Sequence, residues 1–190
     1  MSKVSGSTRF VNPSTQNRSQ SVSDFKNALS SGKYNTELSY LPPTGSGSML
    51  YQNGHNYHIE EIEVGRALAD KGYKVILTPE GIEAYATAFT KDGRPKYSEG
   101  TISGILYDQK TTESNVTNIV NNVDNAIKHA HDKGAEIALI YDRYDRYDKM
   151  HRQDIENGMK KYKKFDTTGR IKAVLVMDKN KNLYEHQFDK

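Results

Sequence analysis

Glu99-Gly100-Thr101-Ile102-Ser103-Gly104-Ile105-Leu106-Tyr107-Asp108-Gln109-Lys110 reads as two short strands joined at Ser103-Gly104. Apolar residues on either side of a glycine-containing turn predict strands at about 99–103 and 105–111. Asp108 and Lys110 are two apart in the second strand, so both side chains leave the same sheet face. The turn folds Glu99 back towards that face. Two carboxylates and a lysine converging there can hold a divalent cation and stabilise an attacking water, which points to phosphodiester hydrolysis. Alternating polar residues on a half-exposed strand also occur with no function, so the flanking sequence has to decide.

Upstream, residues 55–72 carry a helical pattern: Ile59, Ile62, Gly65, Arg66 and Ala69 form a stripe with Val64 and Leu68 beside it, and Gly72 is a natural end. Residues 73–78 read as a strand stopped by Pro79. Residues 80–98 are ambiguous, with a loop at Lys91-Asp92-Gly93-Arg94-Pro95. Downstream, the spacing of Val116, Ile119, Val120, Val123, Ile127 and Ala130 predicts a helix over 114–133, ended by Gly134. Thr111, Thr112 and Asn115 are its expected caps. A buried strand follows at 136–141, parallel to the strand before the helix by a right-handed crossover. A charged helix over 144–164 and a hairpin of 171–177 with 183–188 complete the chain. The order predicts the α/β class: a central mixed β-sheet flanked by helices, with an αβββαβ core plus a C-terminal helix and β-hairpin. Residues 1–50, rich in Ser, Asn, Gln, Thr and Gly, read as a flexible polar lead-in or linker with a short helix at 22–29, and residues 51–190 as the folded domain.

Composition narrows the chemistry. There is no cysteine among the 190 residues, which excludes disulfides, thiolate metal sites and cysteine nucleophiles. A net charge of +3 is compatible with a polyanionic partner. No apolar run is long enough to cross a membrane, and the N-terminus has no hydrophobic signal region.

The first helix offers three glutamates. Glu63 borders the apolar stripe and is the expected site residue, Glu60 is second, and Glu61 is expected to face solvent. Glu99 and Asp108 are the expected metal ligands. Mg²⁺ or Mn²⁺ is the expected ion, with Zn²⁺ as an alternative, because hard cations take carboxylate oxygens from separate elements.

This layout resembles the PD-(D/E)xK nuclease superfamily, the restriction-endonuclease-like fold, with Glu63, Glu99, Asp108 and Lys110 at the matching positions. Leu68-Ala69-Asp70-Lys71-Gly72-Tyr73-Lys74-Val75, followed by the acid-Gly-x-Ile-x-Gly segment and the acid-x-Lys strand, also looks like the C-terminal toxin domains of contact-dependent growth inhibition (CdiA-type) proteins and related phage-associated nucleases. The resemblance covers roughly residues 55–142. It departs from the pattern at Glu99, where Asp is usual. It implies a metal-dependent endonuclease of tRNA or DNA, a bacterial toxin or mobile-element effector. Such a domain acts in the cytoplasm, is delivered as part of a larger secreted or phage-borne protein, and is partnered by a cognate immunity protein.

Two other patterns bear on binding. Tyr141-Asp142-Arg143-Tyr144-Asp145-Arg146-Tyr147-Asp148 fits a solvated helix with acid and base four apart. It equally offers Arg143, Tyr144, Arg146 and Tyr147 to stack on bases and contact phosphates. Lys160, Lys161, Lys163 and Lys164 form either a solvated run or a grip on backbone phosphates. His129 and His131 are two apart on a helix and so point apart. Two alternatives to the leading reading stay open. One is a metal-independent RNase toxin of the barnase/EndoU/colicin/RelE type, with His186, Arg143 and Lys110 as its candidates. The other is a non-catalytic nuclease-fold adaptor that binds nucleic acid or protein.

Overall fold

A computed structural model describes residues 9–146 and 152–188. The helices are α1 (Arg18–Ser30), α2 (Ile59–Asp70), α3 (Ile119–Asp132) and α4 (Arg152–Phe165). The strands are β1 (Ser48–Tyr51), β2 (Lys74–Leu77), β3 (Ala88–Phe89), β4 (Pro95–Lys96), β5 (Gly100–Ile102), β6 (Ile105–Thr111), β7 (Ile137–Asp142), β8 (Ala173–Asp178) and β9 (Leu183–Gln187). Seven strands form one mixed sheet in the order β1-β2-β5-β6-β7-β8-β9, and β3 pairs with β4 in a separate hairpin. The expected α/β class with a helix-flanked mixed sheet is therefore the one observed.

Strand directions create the site's geometry. β1 and β2 are parallel, as are β6, β7 and β8, while β5 runs antiparallel to both β2 and β6. β5 pairs only with Ile105–Tyr107 of β6. The rest of β6, from Asp108 to Thr111, is paired on its other side with β7. Beside Asp108 the β5 side of β6 is occupied by Glu99, the residue that precedes β5.

The central strands β7 and β8 are buried on both faces, as expected where helices cover parallel strands. Alternation along β7 sends Ile137, Leu139 and Tyr141 into one core with α2, β1 and β2, and Ala138 and Ile140 into a second with α3 and α4. On α2, Ile62, Gly65, Leu68 and Ala69 are buried, whereas Arg66 and Ile59 are not. Arg66 instead lies over the Tyr40 ring, 5.6 Å from its centroid.

Three boundaries differ from the sequence expectation. Residues 9–50 are built into the domain rather than leading up to it. β1 joins the main sheet and Val11 is buried in the first core. Asn17 caps α1 by accepting the Gln20 amide at 2.9 Å. The amides of Phe10 and Val11 donate to the Glu185 carboxylate of β9, at 3.1 and 2.9 Å. These ties are hydrogen bonds and one four-residue strand, which a polar average over the segment conceals. α3 begins at Ile119, not 114, because Asn118 caps it by accepting the Asn121 amide. Thr111 is still in β6 at that point. The charged helix begins at Arg152 among the described residues, not at 144. Tyr141 and Asp142 still pair with Met177 and Asp178, and Asp142 Oδ1 then accepts the Arg146 amide (2.6 Å) to close a turn.

α3 and α4 approach closely at Gly158. A Cβ there would sit 2.6 Å from Val123 Cβ and 2.8 Å from the Val120 carbonyl oxygen. Gly158→Ala is expected to destabilise the fold by about 1–3 kcal/mol, lowering Tm by about 2–4 °C for each kcal/mol. An unchanged calorimetric Tm would rule out this helix contact.

Candidate active site

The register that pairs Gly100 with Tyr107 continues to place Glu99 opposite Asp108. Backbone bonds fix Glu99 from both sides: its amide donates to Tyr107 O (3.1 Å) and its carbonyl accepts from the Thr78 amide (3.0 Å). Between the two acids lies Lys133, the residue that caps the C-terminus of α3. Its Nζ is 2.8 Å from Asp108 Oδ1 and 3.3 Å from Glu99 Oε1. One turn earlier, His129 Nδ1 is 2.8 Å from Asp108 Oδ2.

The backbone clamps Lys133 in place. Gly134 has φ 81°, and a Cβ there would meet the Thr87 carbonyl oxygen at 2.2 Å. The close approach lets Thr87 Oγ1 donate to the Lys133 carbonyl (2.5 Å) while accepting the Ser98 amide (2.8 Å). A cleft of about 300 Å³ opens here, lined by Glu80, Lys96, Tyr97, His129, Asp132 and Lys133.

From the other side, α2 contributes Glu61 rather than Glu63. Glu61 Oε2 lies 2.8 Å from His55 Nε2, and His55 Nδ1 lies 2.7 Å from the Thr78 carbonyl oxygen. One carboxylate oxygen each of Glu61 and Glu99 and a ring nitrogen of His55 all lie within 4.8 Å of one another. Glu63 stands about 200° further round the helix. It accepts the Tyr141 hydroxyl (2.9 Å) and pairs with Lys181 (3.4 Å). Glu60 pairs with Arg143 (2.7 Å).

The electrostatics are unbalanced. Burial, then the neighbouring Glu61 and Asp108 charges, push the Glu99 carboxyl up to about 9 against the pull of Lys133. Among the described residues, Glu99 Oε2 and the buried Tyr107 hydroxyl have no hydrogen-bond partner. Burial alone would depress Lys133, but Asp108 and Glu99 outweigh it and raise its pKa. Lys133 is therefore an ammonium, suited to neutralising charge rather than accepting a proton. Burial would likewise depress His55, yet the Glu61 and Thr78 bonds outweigh it and raise its pKa from the ordinary value. Glu99 and Asp108 thus share one lysine, Glu61 is held by His55, and among the described residues the second Glu99 oxygen faces no donor. This donor set fits a divalent cation.

The remaining expected residues lie elsewhere. Lys110 shares the Asp108 face but sits about 7 Å further along β6. Among the described residues it forms no ion pair with either acid. Arg143 and Tyr144 are exposed in the turn after β7 and line a cleft of about 410 Å³ with Glu60 and Thr111. The Arg146 guanidinium donates to the Ser114 carbonyl. Tyr147 lies outside the described residues. Lys160, Lys161, Lys163 and Lys164 are exposed on α4, where Lys161 donates to Asn121 (2.7 Å). His186 is on β9, separated from Lys110 on β6 by two strands, about 14 Å. His186, Lys110 and Arg143 therefore do not converge. Sequence reading missed Lys133, His129 and His55. Lys133 had a signal: it lies three residues after Ala130, which lies four after Ala126, on the buried face of α3.

Glu99 makes stability depend on pH. Below 4.5 it is protonated in both the folded and unfolded states and contributes nothing. Between 4.5 and about 9 the unfolded chain ionises while the folded one does not, so its contribution turns increasingly unfavourable as pH rises through that window. In the metal-free protein, Glu99→Gln is expected to melt several degrees above wild type at pH 8, the gap closing towards pH 4.5, as read by calorimetry. Equal melting temperatures across that range would show that the buried acid carries no such cost.

No family model matches the chain, and no curated protein does. Among solved structures, the chain is similar to one described as a CdiA-CT/CdiI toxin and immunity complex from Burkholderia pseudomallei, at 22% identity over 68% of this chain and 83% of that chain, with a TM-score of 0.44.

Proposed function

We propose that this chain is a metal-dependent endonuclease that hydrolyses phosphodiester bonds of tRNA or DNA, with Glu61, Glu99, Asp108 and Lys133 as its working residues. One observation carries the reading: Glu99 and Asp108 face each other across two strands with the Lys133 ammonium touching both, and one Glu99 oxygen is left without a donor.

Each residue has a distinct task. Glu99, with Glu61 beside it, would hold the cation through the orphaned Oε2. A bound Mg²⁺, Mn²⁺ or Zn²⁺ supplies Lewis-acid charge against the phosphoryl oxygens. Asp108 holds Lys133 and is itself held by His129, so the ammonium is aimed before substrate arrives. Lys133 then stabilises the charge that develops on the non-bridging and leaving oxygens. Lysine thus serves from the end of α3 rather than from Lys110 on β6. The cleft beside His129 and Lys133, with Lys96 on its rim, gives a phosphate access to this group. The sequence pattern from Leu68 to Val75, with Glu99 and Asp108, supports an effector of the toxin type. Such a domain would act in the cytoplasm after delivery by a larger protein and be held in check by an immunity protein.

The test is cleavage of total tRNA and of plasmid DNA by purified protein with Mg²⁺, Mn²⁺, Zn²⁺ or EDTA. Lys133→Met and Asp108→Asn should each lower the rate by about 10²–10³-fold, whereas Lys110→Met should stay near wild type. Glu61→Gln should cost activity and Glu63→Gln should not. Full cleavage in EDTA, or by Lys133→Met, would move the chemistry to another part of the molecule.

A further inference from the structure

We infer that His55 is a nitrogen ligand of the bound cation, completing a His55–Glu61–Glu99 set that takes Zn²⁺ first, then Mn²⁺, in preference to Mg²⁺. The inference rests on the reading of Glu99 as a cation ligand and adds a ligand and a metal preference to it.

His55 is seated as a metal-binding histidine would be. Its side chain is completely buried. Its backbone is fixed by two hydrogen bonds: the Tyr51 hydroxyl donates to its carbonyl (2.8 Å) and its amide donates to Gln52 O (3.1 Å). The Tyr51 ring meets it edge-on at 5.1 Å. Nδ1 faces the Thr78 carbonyl oxygen, which can only accept, so Nδ1 carries the hydrogen. In neutral imidazole that leaves the Nε2 lone pair aimed at Glu61. A backbone carbonyl on one nitrogen that fixes the other as the ligand is the usual outer-shell arrangement.

Two electron-pair donors 2.8 Å apart need a positive species between them. A proton would satisfy His55 and Glu61 but leave Glu99 Oε2 orphaned. A metal ion would satisfy all three. Bonds of about 2.0–2.2 Å bring three such donors within about 4.4 Å of one another, against 4.8 Å in the metal-free arrangement. The ligands come from the loop after β1, from α2 and from the residue just before β5, so the ion would also pin these segments together. Imidazole suits Zn²⁺, and Mg²⁺ prefers an all-oxygen shell with several waters.

The experiment is equilibrium dialysis of the metal-free full chain against Zn²⁺, Mn²⁺ and Mg²⁺ without nucleic acid, together with electron spin-echo spectroscopy of the Mn²⁺ form. Wild type should bind Zn²⁺ more tightly than Mg²⁺ and show coupling to a directly bound nitrogen. His55→Ala should lose on the order of 10–100-fold in Zn²⁺ affinity with Mg²⁺ affinity unchanged. His55→Asp, which replaces nitrogen with oxygen, should narrow the gap between Zn²⁺ and Mg²⁺ and abolish the nitrogen coupling. Should His55→Ala fail to fold, His55→Asp and the wild-type spectrum still decide. Wild-type Zn²⁺ affinity in both variants, or no nitrogen coupling in wild type, would overturn the inference. Zn²⁺ binding lost in Glu99→Gln but kept in His55→Ala overturns the role of His55 and leaves the acid site standing. Zn²⁺ binding as expected without any cleavage supports His55 while striking the nuclease reading.

Discussion

Three carboxylates, Glu61, Glu99 and Asp108, are gathered where a sheet, two helices and a loop meet, and Lys133 pairs with two of them. Charges of one sign in a poorly solvated place repel strongly. The surrounding structure exists to hold them there: two backbone bonds on Glu99, the Thr87 clamp behind Lys133, His129 against Asp108 and His55 against Glu61. Sites that work by charge commonly have this character, because the groups that make them useful also make them costly.

The frame was largely legible in the sequence because it is written in apolar periodicity. The stripe Val123, Ile127, Ala130 gave α3, the run 137–140 gave β7, and the turn at Ser103-Gly104 gave β5 and β6. Glu99 and Asp108 were legible for the same reason, since register across a tight turn is local. What could not be read was contact between elements distant in sequence. Lys133 and His129 reach Asp108 only after α3 has packed on β6. Glu61 and Glu63 cannot be told apart until the rotation of α2 is fixed by Met49 lying under Gly65. Lys110 was a reasonable choice by alternation, yet sharing a face is weaker than sharing a point.

The amino-terminal segment shows how composition misleads. Its polarity is real, and α1 has little apolar face to bury. It is held instead by a cap, a few side-chain hydrogen bonds and the four residues of β1, three of which are buried. β1 in turn carries Tyr51, which steadies His55. A segment that reads as a tether thus reaches the candidate site at one remove.

The bonds from Phe10 and Val11 to Glu185 join positions 175 and 174 residues apart. Ordering a loop of that size is slow to reward, because the entropy is lost before the contact forms. Phe10 and Val11 lack these two bonds until the chain has reached β9, although Val11 is also seated in the first core. On a ribosome, these two bonds can therefore form only after Glu185 has left the exit tunnel, long after Phe10 and Val11 have emerged.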